Sequence, residues 1–373
     1  MADVAATPGR SLWQDAARRL ARNRLAMGSL TLLAVVAIAV IIGPFLTGHA
    51  HDRVYAEYVR VPAGIAAHPD HARIEGALER IAIRMRVKAE LVRAHSGARA
   101  GEVVAILEAP RPIDDRNLAY FERSGLFGAA RVLERGEDGA RVVVAAPIAY
   151  ERFLLGTDTN GRDLLSRTLI AGRVSLAIGL LASLVALVIG VAWGATAGYL
   201  GGRVDLVMMR IVDILYALPF MFFVILLVVF FGRSVALMFI AVGAIEWLDM
   251  ARIVRGQTLT IRAQEYVQAA EALGATTRGI LWRHIIPNAI GPVIVTVTML
   301  VPRVILLESF LSFLGLGVQE PMTSWGVLIA EGARNIQGAA YMLAGPATAL
   351  VATLFALNAL GDGLRDALDP KER

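Results

Sequence analysis

Long stretches of this chain carry no charge, and that feature limits the fold more than any other. In hydrocarbon every backbone polar group must find a partner within its own segment, and a helix of about 20 apolar residues does so while matching the bilayer thickness. Leu25–Gly48, Val174–Gly202, Ile214–Gly232 and Ile336–Gly361 are such runs. Val235–Leu248 and Ala289–Leu314 read as two further spans interrupted by charge, Glu246 in the first and Arg303 and Glu308 in the second. The expected fold is an all-α polytopic membrane protein with six transmembrane helices. Composition agrees: 56% of residues are apolar, 18% are charged, and the mean hydropathy is +0.59, too little polar surface for a soluble domain of this length.

An arginine-rich start followed by an apolar run also describes a signal peptide. The first run is longer than the h-region of about 7–15 residues, and no small-x-small cleavage site follows closely, so it reads as a span. Arginines then set the orientation, because short cytoplasmic loops are enriched in them. Arg10–Arg24, Arg203, Arg210 and the arginines from Arg252 to Arg283 fall on one side; Arg233 and Arg334 fall on the other. Both termini are therefore expected in the cytoplasm. The net charge of +5 comes with no basic run interleaved with aromatics, so nucleic acid is not an expected partner.

Residues from about 49 to 160 differ in kind, with nearly balanced charges and a soluble pattern. Asp70 is placed to cap a helix bearing Ile74, Leu78, Ile81, Met85 and Val92 on one face. Glu102–Leu107 reads as a strand, and Gly136–Gly139 as the turn of a hairpin between 131–134 and 141–145. This predicts a small α+β extracytoplasmic domain inserted between helices 1 and 2. His49, His51, His68, His71 and His95 cluster here, and closely spaced imidazoles can share an ion. No carboxylate or thiolate set completes a site in sequence, and cysteine is absent from the chain, so no metal is expected.

Between the fourth and fifth spans, helix formers run to Gly274 and a second amphipathic stretch runs to Pro287. A glycine permits a sharp turn between two short helices and a proline stops the second, giving a helical knob that can insert into a groove on a partner.

That segment, Gln268-Ala269-Ala270, then Gly274, then Ile286-Pro287, resembles the EAA loop of binding-protein-dependent ABC importer permeases. Gln268 stands where the family usually has Glu, and His284 where it has Ile. Gly156-Thr157-Asp158-Thr159-Asn160-Gly161-Arg162-Asp163, Ser312–Gly317 with Ser324-Trp325-Gly326, and Gly361–Pro370 resemble the dipeptide/oligopeptide/nickel branch. The likeness covers residues 10–48 loosely and 153–373 closely. The inserted stretch is longer than the resemblance leads one to expect.

The resemblance implies a permease subunit that moves oligopeptides or dipeptides by alternating access, with nickel or another small solute as the alternative cargo. It implies a second permease subunit, two ATPase subunits, a periplasmic substrate-binding protein, and a bacterial inner membrane location. The ATPase-coupling loop would consist of Ala269, Ala270 and Gly274 at the contact, Glu265, Gln268, Glu271 and Arg278 around it, and Pro287 behind it. ATP and magnesium would sit on the partner ATPases: the chain has no Gly-Lys pair for a phosphate-binding loop, so no cofactor and no catalytic residue are expected here. Gly156, Thr157, Asp158, Gly161, Arg162 and Asp163 would order the outer mouth, with Arg162 pairing either aspartate. Glu246, Asp249 and Glu308 are candidates to line the pathway, since intramembrane charge faces the bundle interior; Glu246 and Asp249 could instead reach the interface and pair with Arg252. The domains expected are a cytoplasmic segment 1–24, helix 1 at 25–48, the insertion 49–160, a core 161–361 with the coupling loop at about 258–288, and a cytoplasmic tail 362–373. A membrane-anchored ligand sensor is the alternative class; it would need a cytoplasmic effector domain, and only that short tail follows the last span.

Overall fold

The computed structural model describes residues 12–95, 101–148, 150–232 and 234–368. Arg10, Arg233, Asp369 and Pro370 lie outside these residues, as does the side chain of His95. In chain order the elements are α1 (Leu12–Arg22), α2 (Arg24–Leu46), α3 (His71–Met85), β1 (Lys88–His95), β2 (Glu102–Glu108), α4 (Ala119–Arg123), β3 (Arg131–Arg135), β4 (Arg141–Pro147), α5 (Leu164–Leu200), α6 (Gly202–Ala217), α7 (Phe220–Phe231), α8 (Val235–Arg262), α9 (Glu265–Ala272), α10 (Thr277–Ile280), α11 (Ile286–Phe313), α12 (Trp325–Arg334), α13 (Ile336–Ala339) and α14 (Tyr341–Leu368). They form two compact units, one of residues 1–46, 168–334 and 346–373, the other of 47–167 and 335–345.

The first unit is helical. Among the described residues four helices are long and apolar enough to cross a membrane: Arg24–Leu46, Leu164–Leu200, Thr277–Phe313 and Tyr341–Leu368. A fifth span would come from Gly202–Ala217 together with Met221–Phe231, which meet at a bend of 80°. The third apolar run is thus not one straight helix. Pro219 has no N–H to donate and pushes Leu218 out of helical geometry (ψ 128°), so α6 ends there and α7 starts afresh. Helix α8 is 28 residues long, well past the expected end at Leu248. Asp249 therefore sits near its middle rather than at an inner end.

Small residues set the close packing in this unit. Gly190, Gly194 and Gly198 recur every fourth residue on one face of α5, and a Cβ on any of them would strike α8, against Met250, the Ala251 carbonyl and Thr258 respectively. Such stripes let helix backbones approach where apolar burial alone gives no driving force.

The second unit is α+β. Its antiparallel sheet has the order β1-β2-β4-β3, with Ala105 opposite Val144 in the central pair. Asp70 caps α3 by accepting from the Arg73 N–H at 3.0 Å, and Ile74, Leu78, Ile81 and Met85 are buried along that helix. Val92 does not continue this face: α3 ends at Arg86, left-handed at φ 57°, and Val92 is an exposed residue of β1. The β3–β4 hairpin turns at Gly139, φ +66°, with the Gly136 N–H donating to the Arg141 carbonyl at 2.9 Å.

Candidate functional site

The loop after α8 folds into the knob its glycine suggested. Gln264 opens α9, Gly274 (φ +81°) reverses the chain in a conformation that suits glycine, and Thr276 caps α10 by accepting from the Gly279 N–H at 3.2 Å. Buried Val267, Ile280 and Ile285 pack with Tyr199 from the end of α5, which anchors the knob to the helical unit. The opposite face is bare. Glu265, Gln268, Ala269, Glu271, Gly274 and Arg278 are exposed, Ala270 is half-buried, and the Gln268 side chain donates to the Ala263 carbonyl at 3.3 Å.

Pro287 does not end the second helix. A π turn at Leu281–Ile285 leads straight into α11, with Pro287 in its first turn. The knob is therefore continuous with a membrane-length helix. Sequence reasoning also passed over three large apolar side chains on the knob: Leu273 is 88% exposed, Trp282 64% and Tyr266 44%. An apolar residue beside an exposed glycine turn was the available signal.

The Gly156–Asp163 motif is interior structure within the α+β unit. Asp158 is fully buried and accepts from the Asn160 and Arg162 backbone N–H groups at 2.8 and 2.9 Å, from Arg162 Nε at 2.7 Å, and from Arg167. Arg162 thus pairs with Asp158, while Asp163 caps α5 through the Ser166 N–H at 2.7 Å. Thr157 accepts from the Val61 N–H at 2.8 Å and donates to the Tyr58 carbonyl. Gly156 and Gly161, both at φ +79°, lie where a Cβ would strike the Val61 and Tyr55 carbonyls. Arg167 was missed because nothing in the motif's spacing includes it. Burial pushes the nearby Tyr58 phenol up to about 12, with Glu151 adding to the effect.

The histidines do not converge. His49 shares a hydrogen bond with the Tyr55 hydroxyl at 2.8 Å and stacks on Phe153, and His71 lies 3.2 Å from Glu75. No group of three His, Cys, Asp or Glu that could hold an ion occurs among the described residues.

The three pathway candidates part company. Asp249 faces an open cavity of about 780 Å³ bounded by α8, α11 and the end of α14, and its Oδ2 is 3.1 Å from Arg303 Nη1. Glu246, three residues earlier, is buried at 7% exposure and does not line that cavity. Glu308 is fully buried; it accepts from Ser175 of α5 at 3.1 Å and from Ser312 at 2.7 Å, and ties α5 to α11 instead of lining the cavity. Arg252 pairs with Asp213 of α6 at 2.9 Å, not with Glu246 or Asp249.

Long apolar helices, a solvent-facing knob continuous with one of them and an ion pair on an open cavity between helices describe the membrane subunit of a transport system. The chain belongs to the family of binding-protein-dependent transport system inner membrane components, which its residues 173–373 match. Residues 11–62 match the N-terminal TM domain of oligopeptide transport permease C. The chain is 42% identical to the oligopeptide transport system permease protein OppC of Escherichia coli (strain K12), over 365 residues that cover 98% of this chain and 93% of that protein. The OppC protein of Haemophilus influenzae is 53% identical over 61% of this chain and 74% of its own length. The dipeptide transport system permease protein DppC of Bacillus subtilis (strain 168) is 48% identical over 58% and 68%. The protein is a multi-pass inner-membrane permease subunit of an ABC transporter.

Proposed function

We propose that this chain is one of two permease subunits of an ATP-driven importer of oligopeptides and dipeptides, and that it transmits the force of separate ATPase subunits through the knob at Glu265–Pro287. The exposed knob carries the reading, because it grows directly into a membrane helix on a chain 42% identical to an oligopeptide permease over 98% of its length. A partner that grips Ala269, Ala270 and Gly274 moves α11 with it. Glu265, Gln268, Glu271 and Arg278 then set register more than affinity. Nucleotide binding by the ATPases, which hold ATP and magnesium, must favour one arrangement of the spans over the other, since only a differential preference shifts the equilibrium.

In this reading the chain crosses the membrane six times, the bent α6–α7 pair and the charged α8 supplying the third and fourth crossings. Both termini and the knob lie in the cytoplasm, and the α+β unit lies outside, where a peptide-loaded binding protein docks. The motif Gly156–Asp163 stiffens the outer mouth through Asp158. Asp249 lines the pathway, while Glu308 holds α5 against α11. The second permease subunit completes the route.

The complete importer, purified through a tag on this chain, tests the coupling role. Leu273→Glu alters a side chain that is 88% exposed, so the fold stands, and the ATPase subunits are expected to be lost from the purified complex. Unchanged co-purification together with unchanged peptide-stimulated ATP hydrolysis would remove the knob from the coupling path.

A further inference from the structure

The Asp249–Arg303 pair is unusual for its depth. Asp249 lies 14 residues from the start of α8 and 13 from its end (249 − 235 and 262 − 249), about 20 Å from either at 1.5 Å per residue. Arg303 lies 17 residues into α11 and 10 from its end (303 − 286 and 313 − 303). Yet their side chains are 35% and 62% exposed. Ionised side chains exposed at that depth cannot face hydrocarbon, so this face of α8 and α11 borders water or a polar partner.

The pair is also sparingly bonded. A guanidinium has five N–H donors and a carboxylate about four acceptor positions, but among the described residues a single hydrogen bond joins the two, Arg303 Nη1 to Asp249 Oδ2 at 3.1 Å. Much of the surrounding wall is apolar: Met250, Ile253, Val295, Met299 and Leu300. Thr296 spends its hydroxyl on the Pro292 carbonyl. The same wall carries Gln257, Arg365 and Arg252, the last paired with Asp213, so the loosely tied Asp249–Arg303 pair sits in a cavity richer in cations than anions, beside apolar surfaces that make no sharp demand on a side chain.

We propose that this pair is a charge-exchange subsite for the free C-terminal carboxylate of the transported peptide. The carboxylate takes Asp249's place on the Arg303 guanidinium, where two parallel N–H···O bonds replace one. Because Asp249 recaptures Arg303 as the peptide leaves, the contact is held only in transit. Side-chain identity is left to the apolar wall, which suits a carrier of many sequences. The inference rests on the peptide reading above.

Proteoliposomes holding the complete importer are given binding protein preloaded with a labelled tripeptide, either as the free acid or as the C-terminal amide. The wild-type chain is expected to take up the acid about tenfold faster, the factor that one charged hydrogen-bond contact supplies. Arg303→Gln is expected to bring the acid-to-amide ratio to about one, Arg303→Lys to restore part of it, and Asp249→Asn to lower the KM for the acid. A ratio unchanged in Arg303→Gln, or a wild-type ratio already near one, overturns the subsite while leaving peptide import intact. Failure of the wild-type importer to move either peptide overturns the peptide reading itself, and the subsite with it.

Discussion

Arg173 of α5 stands in for the hydrogen bond that Pro44 removes from α2. Pro44 has no N–H to give to the carbonyl four residues before it, which is that of Val40. Arg173 Nε donates to the Val40 carbonyl at 2.6 Å, and its Nη2 donates to the Ile41 carbonyl at 2.6 Å. A gap in the hydrogen bonding of the first long helix is thereby filled by an arginine from the second, which joins the two more than 130 residues apart in sequence.

Removing that arginine leaves the Val40 carbonyl without the donor that Pro44 denies it. Arg173→Leu is expected to destabilise the chain by about 1.5–3 kcal/mol, the range for hydrogen bonds to charged groups. In a Pro44→Ala background Val40 regains its helical partner, and the same substitution is expected to cost about 1 kcal/mol less. A double-mutant cycle read by thermal unfolding in detergent checks this; strict additivity would deny the relationship.

The α5 stripe makes opposite predictions for two glycines. A Cβ at Gly194 would lie 2.9 Å from the Arg255 amide nitrogen, and nothing lies within 4 Å of one at Gly256. Gly194→Ala is expected to cost about 1–3 kcal/mol through overpacking, whereas Gly256→Ala is expected to add up to about 1 kcal/mol from helix propensity. Thermal unfolding of the purified chain should show the melting temperature fall in the first variant and hold or rise in the second.

Asp158 holds two arginines that are themselves almost wholly buried, Arg162 at 7% exposure and Arg167 at 2%. Asp158→Ala removes the carboxylate that both arginines share and is expected to cost about 3–5 kcal/mol, the range for breaking one side of a buried pair. Limited proteolysis within 47–167 should become rapid in this variant and not in Asp163→Asn, whose side chain can still accept the Ser166 N–H as a helix cap.

His68 gives the α+β unit a predicted acid sensitivity. Burial lowers its imidazole below the ordinary 6.5, with Arg73 acting in the same direction and Asp70 against it, and its buried Nδ1 has no hydrogen-bond partner among the described residues. The native state keeps His68 neutral while the unfolded chain takes up a proton below pH 6.5. Stability is therefore full above that pH and declines as pH falls through the depressed native value. Protection of α3 amides from hydrogen exchange, corrected for the intrinsic rate, should fall as pH drops below 6.5, and less so in His68→Gln.

Local signals were legible wherever one short segment decided the outcome. Asp70 before an amphipathic run, glycines at 136 and 139 between two strand patterns, and Gly274 inside the loop each act through neighbouring backbone, which sequence displays directly. Pro219 was equally visible but lay within an unbroken apolar run, and hydropathy outweighed it. Asp249 follows an apolar run in sequence, and the local pattern did not show that the helix continues 13 residues beyond it and turns it to a cavity. Strand β1 escaped notice because Lys88, Glu90 and Arg93 break the apolar pattern, and Val92 was assigned to the preceding helix. The pairings Arg303–Asp249, Arg255–Asp205 and Ser175–Glu308 join residues 54, 50 and 133 apart, and no local pattern encodes which helix faces which.

Uptake by the complete importer decides whether this chain serves peptide import. The complete importer is reconstituted with its binding protein, ATP is supplied to the ATPase side, and labelled tripeptide and labelled nickel are offered separately. Accumulation of peptide that requires both ATP and binding protein, with no accumulation of nickel, is the predicted result. ATP-driven accumulation of nickel with no response to peptide would contradict it.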